Sequence, residues 1–293
     1  MILPLSAVLW AGHALYRAQG FRARTLPAAG RRVLVYERAG WGSGPRALLV
    51  HGLGGNAASW LKLVPELLRA CRGVVAVELP GHGRAWLLPG EAPLGALELS
   101  EALFAALSTL FGPGDPALLV GNSLGGALCL HVAALLPGLV AGVVGLSPAG
   151  APLSAAERAA LLHVFGTSRL PQMARRLYHR PPRALWLFSR DLERLWGSPA
   201  VQHVLSELPP DSAPGLAPEL LRKLACPALV LWGDSDGILP SSSIAWFREN
   251  LGQGTVELIE RCGHVPQLER PEVVGPRIVK FAAGLRRPLA ETA

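Results

Sequence analysis

Ser123 has the sequence context of an activated nucleophile. The segment Gly-Asn-Ser-Leu-Gly occupies residues 121–125, between a short apolar run and a stretch with helical spacing. A serine on such a strand-to-helix turn has a strained backbone, and the small glycines on either side let the strand and the helix approach. The turn also places the serine near a helix N-terminus, where free N–H groups favour developing negative charge. This pattern predicts nucleophilic attack by the serine hydroxyl.

Two later loops contain the base and the acid that a serine nucleophile requires. Asp234 and Asp236 follow a predicted strand at residues 228–232. His264 follows another predicted strand, at residues 255–259. Because active groups gather at the carboxyl ends of the strands in a doubly wound sheet, both loops can converge on the nucleophile.

The elements that must position these residues follow from the pattern of apolar residues. The predicted strands are residues 32–37, 47–50, 74–77, 118–120, 140–146, 228–232 and 255–259. Apolar residues at helical spacing predict helices at residues 60–70, 98–110 and 124–136. Strands that alternate with helices indicate an α/β protein with a mostly parallel sheet.

One segment interrupts this alternation. No strand is predicted between residues 147 and 227, whereas a crossover between parallel strands needs only about a dozen residues. Within it, residues 169–208 carry apolar side chains at helical spacing, which predicts several short helices with an apolar face. We expect these helices to form a lid over the strand ends, and the aromatic residues could equally be the packing core of that lid. The histidines of the segment are interpreted as surface or packing residues: His163, His179 and His203.

Five motifs in this order make the chain resemble the α/β-hydrolase superfamily over residues 25–285. They are HGLGG from His51, ELPGHG from Glu78, GNSLGG around Ser123, WGDSDGILP around Asp236 and CGHVPQLERP around His264. The resemblance implies an α/β-hydrolase fold, with a mostly parallel doubly wound sheet and a helical cap inserted after the sixth strand. It places the core at residues 21–150 and 222–293 and the cap at residues 151–221, after an apolar N-terminal segment at residues 1–20.

The resemblance also implies a role for each candidate site residue. Ser123 is the nucleophile, and His264 is the general base and then the general acid. Asp236, the last residue of a GxxD pattern, orients the histidine, with Asp234 on the same loop as the competing candidate. His51 is expected to fix its turn by a hydrogen bond rather than to take part in acid–base chemistry.

The oxyanion hole is expected to use two backbone N–H groups. One belongs to Leu124, directly after the nucleophile. The other belongs to Leu53, which follows His51-Gly52 in the loop after the third strand, with Gly54 as the alternative.

Serine at position 123, on the strand-to-helix turn, argues against dehalogenases and epoxide hydrolases of similar fold, because those enzymes use a carboxylate nucleophile. The remaining chemistry is acyl transfer to water, which needs no metal and no organic cofactor. An apolar lid without an evident charged clamp favours a medium-chain or lipid-like carboxylic ester, such as a monoacylglycerol.

Two other functions stay open. GNSLGG also resembles carbon–carbon bond hydrolases of ring-cleavage products, although these often carry tryptophan where Val265 stands. The other is a non-catalytic small-molecule receptor or scaffold on the same fold. Such proteins often lose a residue of the triad, whereas this chain has candidates for all three.

Charge and cysteine content argue against other classes of protein. The 28 basic and 21 acidic residues give a net charge of +7, but the charges are mostly scattered and no nucleic-acid-binding motif accompanies them. The 4 cysteines are far apart and form no CxxC pair, so neither a zinc site nor a dense disulfide framework is expected. The predicted partner is a small-molecule ester, and no pattern indicates an oligomeric state.

The first sixteen residues are apolar and carry no formal charge. As a helix they would reach roughly 24 Å, short of the hydrocarbon core of a bilayer at about 30 Å. Arginines follow this stretch rather than precede it, which argues against a secretory signal and favours a cytoplasmic main domain. Residues 1–16 are therefore expected either to lie on a membrane surface as an interfacial helix or to pack on the protein.

Overall fold

An eight-stranded sheet forms the centre of the computed structural model, which describes residues 5–167, 170–209 and 215–285. The strands are β1 (Arg22–Ala28), β2 (Arg31–Ala39), β3 (Ala47–Val50), β4 (Gly73–Glu78), β5 (Ala117–Asn122), β6 (Val140–Leu146), β7 (Ala228–Gly233) and β8 (Thr255–Ile259). Their order in the sheet is β1-β2-β4-β3-β5-β6-β7-β8. Strands β3 to β8 pair in parallel, and β2 pairs antiparallel with both β1 and β4.

Helices cover both faces of this sheet. They are α1 (Leu5–Ala18), α2 (Val64–Ala70), α3 (Ala96–Leu110), α4 (Leu124–Leu135), α5 (Ala155–Thr167), α6 (Leu170–Leu177), α7 (Ser189–Trp196), α8 (Pro199–Ser206), α9 (Pro218–Arg222), α10 (Ser242–Asn250), α11 (Pro266–Glu269) and α12 (Pro271–Gly284). Short 3-10 turns add Ala57–Trp60, Pro137–Leu139 and Arg183–Phe188. Helices α3 and α4 pack on one face, and α2 and α12 pack on the other.

Burial on both faces explains why the central strands are continuously apolar. All four residues of β3 are buried, with Leu48 and Val50 in the core on the α3–α4 side. Ala47 and Leu49 point the other way, into the core on the α2–α12 side. Alternate side chains of a strand face opposite sides of the sheet, so a strand between two helix layers needs apolar residues at every position.

The predicted fold class is confirmed: the chain has an α/β fold with a mostly parallel sheet and helices on both faces. All seven predicted strands are present, but β1 was missed because its sequence RARTLPA is largely charged or exposed. The predicted helix at residues 60–70 begins only at Val64. Its first residue, Trp60, instead ends the 3-10 turn Ala57–Trp60, and residues 61–63 form a further turn. Pro65 lies in the first turn of α2, a position that suits proline.

Helices α5 to α9 fill the long connection between β6 and β7, as expected for a cap. Its buried cluster comprises Val164, Leu170, Met173, Ala174 and Trp196. Trp196 thus belongs to the cap's own packing core, whereas Trp186 in the turn Arg183–Phe188 is exposed. The boundaries of the cap at residues 151–221 stay a prediction.

Helix α1 packs on the protein along one side only. Tyr16 is fully buried, stacks on Tyr36 with ring centroids 4.6 Å apart, and donates a hydrogen bond from its hydroxyl to the carbonyl of Ala57. On the other side, Trp10 and Leu15 are 56% and 52% exposed. Within the described ranges, no helix is long and apolar enough to cross a membrane.

Candidate active site

Ser123 occupies the sharp turn between β5 and α4. Its backbone adopts φ 53° and ψ −119°, a left-handed conformation that is unusual for a residue with a side chain. Backbone hydrogen bonds hold the turn: the N–H of Ser123 donates to Leu146 O at 3.0 Å, and the N–H of Ala149 donates to Ser123 O at 3.0 Å. The strain is therefore supported by both neighbouring segments, as expected for a nucleophile elbow.

The two glycines of the elbow allow a close approach between backbones. A Cβ atom at Gly121 would lie 2.2 Å from the carbonyl oxygen of Gly125. A Cβ atom at Gly125 would lie 2.3 Å from the carbonyl oxygen of Val50 on β3. No side chain fits at either position. The strand and the helix therefore pack as closely as the sequence predicts.

His264 and Asp236 form a buried pair at the carboxyl ends of β8 and β7. Nδ1 of His264 lies 2.8 Å from Oδ2 of Asp236, and their side chains are only 5% and 3% exposed. The other carboxylate oxygen of Asp236 accepts hydrogen bonds from the N–H groups of Ile238 and Leu239, at 2.8 and 3.1 Å. With both oxygens engaged, the carboxylate is held in one orientation and presents a fixed acceptor to the imidazole.

Asp234, the competing candidate, makes its hydrogen bonds to other groups. Its Oδ1 accepts hydrogen bonds from the Ser235 hydroxyl at 2.8 Å and from the Cys262 N–H at 3.3 Å. Burial opposes ionisation of this carboxyl group, but hydrogen bonds from Ser235, Arg261 and Cys262, together with the nearby His179, outweigh it and lower the pKa of Asp234 below its ordinary value. The structure thus brings Asp236 to His264, and gives Asp234 the task of tying two loops together.

Ser123 and His264 line the same cavity, which has a volume of about 320 Å³. Leu53 also lines it, whereas Leu124 lies at the first position of α4, where backbone N–H groups have no acceptor within the helix. The cap contributes six apolar side chains to the lining: Phe165, Leu177, Leu185, Leu192, Leu195 and Trp196. Two larger clefts, of about 540 and 530 Å³, lie at the amino ends of the parallel strands and contain none of these residues.

His51 is a structural histidine, as expected. Its Nδ1 lies 2.8 Å from the carbonyl oxygen of Gly52 and so carries the proton, while Nε2 accepts the N–H of Leu79 at 3.2 Å. Complete burial lowers the pKa of His51 to about 3, and the nearby His82 adds to the decrease. The neutral ring joins the loop after β3 to the loop after β4.

Asn122 and Gln267 were not singled out from the sequence, although both lie inside the quoted motifs. The side-chain N–H₂ of Asn122 donates to Leu146 O at 2.9 Å and to His264 O at 3.0 Å. Its Oδ1 accepts a hydrogen bond from Gln267 at 3.1 Å. Both side chains are buried, so this polar link fixes the elbow against the loop that carries the histidine.

The buried thiols show no features of nucleophiles. Burial raises the pKa of Cys262 to about 12, and burial likewise raises the pKa of Cys129. Both are free cysteines. Among the described residues, no group of three or more histidine, cysteine or acidic side chains could hold a metal ion.

Comparison with known proteins places this geometry in a family. A family model described as "Alpha/beta hydrolase family" matches residues 47–276. The chain is 32% identical over 273 residues to the dihydrolipoyllysine-residue acetyltransferase component of the acetoin cleaving system of Pseudomonas putida, covering 90% of this chain and 70% of that protein. It is 29% identical over 257 residues to a pimeloyl-[acyl-carrier protein] methyl ester esterase of Neisseria meningitidis, covering 82% of this chain and 94% of the relative.

The fold agrees with these sequence matches. The solved structure of a bacterial membrane phospholipase A superposes with a TM-score of 0.79 at 26% identity, covering 97% of this chain and 92% of that one. The family match extends from β3 to α12 and includes Ser123, Asp236 and His264. The chain belongs to the alpha/beta hydrolase family.

Proposed function

We propose that this protein is a serine hydrolase that cleaves carboxylic esters through an acyl-enzyme on Ser123. The observation that carries the proposal is the arrangement of the site: a strained serine and His264 line one cavity, and His264 is paired with the buried Asp236. The esterase among the relatives and the phospholipase among the similar structures support ester hydrolysis as the reaction class.

In the proposed mechanism, Oγ of Ser123 attacks the ester carbonyl while His264 takes the hydroxyl proton. The tetrahedral oxyanion is stabilised by the backbone N–H groups of Leu53 and Leu124. The C–O bond to the alcohol then breaks, and the histidine returns the proton to the leaving oxygen. Water repeats the sequence on the acyl-enzyme and releases the carboxylic acid, while Asp236 keeps the imidazole oriented throughout.

The cavity favours a neutral, apolar acyl group. None of the described residues that line it is an aspartate, glutamate, lysine or arginine. Leucine, phenylalanine and tryptophan side chains of the cap surround the space in front of the serine. We therefore infer a medium-chain or lipid-like ester, such as a monoacylglycerol, as the substrate class.

Turnover of p-nitrophenyl esters across a series of acyl lengths tests this function, with Ser123→Ala and His264→Ala as controls. We expect activity in the wild-type protein, near-complete loss in both variants, and a preferred acyl length that reports the depth of the cavity. A fluorophosphonate that labels Ser123 without any ester turnover would favour the carbon–carbon hydrolase alternative. Absence of both turnover and labelling would reject the serine hydrolase and favour a receptor or scaffold.

We also propose that α1 contacts a membrane surface. Its outer face exposes Trp10 and Leu15, and the guanidinium carbon of Arg84 lies 3.8 Å from the centre of the Trp10 ring. Exposed tryptophan with a nearby arginine suits the interface between lipid headgroups and acyl chains. Since Gly12 packs against Ala58, which borders the cavity, a bilayer on this face would lie beside the site.

A further inference from the structure

One stretch of the cap, residues 176–180 at the end of α6, lies directly on the two loops that carry Asp236 and His264. The backbone N–H of His264 donates to the carbonyl oxygen of Leu177 at 2.8 Å. The N–H of Gly237, next to the acid, donates to the carbonyl oxygen of Arg176 at 3.0 Å. The cap therefore bonds to the backbone of the base itself and to the neighbour of its acid.

Backbone contact between this segment and the histidine loop is close. A Cβ atom at Gly263 would lie 2.4 Å from Leu177 O and 2.7 Å from the Cα atom of Tyr178. A side-chain link accompanies it: Nδ1 of His179 lies 2.9 Å from the Ser235 hydroxyl oxygen. His179, which the sequence suggested was only a surface or packing residue, thus joins the cap to the acid loop.

Glu269, the last residue of α11, stabilises the contact between residues 176–180 and the histidine loop through its carboxylate. Its Oε2 accepts the N–H of Gly263 at 2.7 Å and the N–H of His179 at 3.0 Å. Its Oε1 accepts the N–H of Arg180 at 2.7 Å. Three backbone donors from two separate segments converge on one charged acceptor, and hydrogen bonds to an ionised group are stronger than those between neutral groups.

The same stretch of the cap also forms a wall of the cavity. Leu177 and Tyr178 line it together with Ser123 and His264. A shift of residues 176–180 would therefore move the substrate-facing wall and the base at the same time.

We propose that Glu269 is a positioning residue for the hydrolytic reaction, acting through the cap segment at residues 176–180 to hold His264 in line with Ser123. The proposal rests on the proposed roles of the serine and the histidine. The cap then has two parts with different roles. Residues 176–180 support the acid–base pair, and only the rest of the cap is free to act as a lid.

The alternative is that Glu269 only stabilises the fold. In that case its loss would lower the melting temperature and the folded fraction, while the folded molecules would keep their kcat. A positioning role instead lowers kcat and slows acylation in fully folded protein, because a displacement of about 1 Å in a reacting group can cost about a hundredfold in rate.

The test compares Glu269→Ala, Glu269→Gln and the control Glu272→Ala. Glu272 is three residues away, is exposed and pairs with Arg270, so its loss removes a similar charge while leaving the hydrogen bonds of Glu269 to Gly263, His179 and Arg180 in place. Each variant is assayed for kcat and KM on a p-nitrophenyl ester and for the rate of fluorophosphonate labelling at Ser123. Thermal unfolding of each variant is also measured, and all assays are run below the temperature at which unfolding begins.

We expect Glu269→Ala to lower kcat and the labelling rate by about 10- to 100-fold with a much smaller change in KM. Glu269→Gln should recover part of the activity, because its remaining oxygen can still accept the N–H groups of Gly263 and His179, whereas its amide nitrogen cannot accept that of Arg180. The control Glu272→Ala should match the wild type.

If folded Glu269→Ala keeps the kcat and the labelling rate of the wild type, the positioning role is overturned, while the proposed serine hydrolase is unaffected. A loss of activity that is fully explained by the unfolded fraction of the variant would also overturn the positioning role. A wild-type protein that neither turns over esters nor labels would overturn the proposed function, and the positioning role with it.

Discussion

Asp234 and Asp236 show how two identical residues on one loop acquire different tasks. Asp236 directs one oxygen to His264 and the other to two backbone N–H groups, whereas Asp234 accepts from Ser235 and Cys262. Their spacing in the sequence could not separate them. What separates them is the direction in which the loop turns after β7, and the GxxD pattern of the resembling family pointed to the residue that lies beside His264.

This difference predicts unequal effects of equivalent substitutions. Asp236→Asn should lower kcat by about a thousandfold or more, because an amide cannot hold the imidazole in the tautomer and orientation that the base requires. Asp234→Asn keeps an acceptor oxygen for the loop and should stay within about tenfold of the wild type. Steady-state kinetics on one ester measures both, and equal losses would show that the acid has been assigned to the wrong carboxylate.

The elbow predicts a steric effect at a single residue. Gly125→Ala places a methyl group about where the backbone of Val50 lies, so it should lower the free energy of unfolding by about 1–3 kcal/mol and disturb Ser123. Gly138→Ala is the matched control, since no atom lies within 4 Å of its added methyl group. Urea unfolding of both variants measures the difference, and similar stabilities would contradict the close approach seen here.

At the scale of elements, the predictions succeeded where one physical signal dominates. The central strands are apolar at every position because helices bury both faces, and runs such as residues 47–50 are recognisable for that reason. Strand β1 carries no such signal, because it pairs at the sheet edge and exposes most of its side chains. The predicted start of α2 failed because a 3-10 turn and an α-helix share nearly the same spacing of apolar residues.

The site follows the same rule. Ser123 and its two glycines were recognisable because a strained turn restricts residue type locally, and His264 because it follows a strand within a motif of the resembling family. Asn122, Gln267 and Glu269 act through contacts between segments far apart in the chain, such as the bond from Gln267 to Asn122. No local pattern encodes which backbone N–H group will face a given side chain, so these roles needed the structure.

Helix α1 allows a test of membrane contact that spares the fold. Deletion of the N-terminal segment would remove Tyr16 from the core, so substitution of the exposed face is the sharper experiment. Trp10→Ser combined with Leu15→Ser should reduce co-sedimentation with vesicles that contain an anionic phospholipid, because both side chains contribute exposed apolar area.

Trp41→Ser is the control for this experiment, since Trp41 is 69% exposed but belongs to the loop between β2 and β3. It should leave vesicle binding unchanged. If the α1 variant binds vesicles as well as the wild type, the exposed face of α1 serves another purpose.

At the scale of the whole molecule, the site joins parts of the chain that are distant in sequence. The loop after β3, the elbow after β5, the cap and the loops after β7 and β8 all contribute to one cavity or to its support. Many of these links are polar and buried, as at His51 and Asn122. Buried polar groups are stabilising only while their partners and their protonation states are maintained.

This dependence predicts that acid weakens the fold before the surface carboxylates are fully protonated. Burial lowers the pKa of His51 to about 3 and also lowers the pKa of His82, whereas both regain an ordinary value near 6.5 on unfolding. The unfolded state then binds more protons between these values, so stability is complete above about pH 6.5 and falls as the pH is lowered below it.

The slope for His51 alone is at most about 1.4 kcal/mol per pH unit. Glu78 acts in the opposite direction, because burial raises its pKa and the folded state then takes up the proton first. Urea unfolding from pH 7 to pH 5 should therefore show a falling free energy of unfolding, with a shallower fall in His51→Asn, whose side chain cannot be protonated. The ring resonances of His51 should also fail to titrate in the folded protein over this range. Titration of that ring near pH 6.5 would show that the link between the loops after β3 and β4 is open to water, and the predicted acid sensitivity would then have to come from other groups.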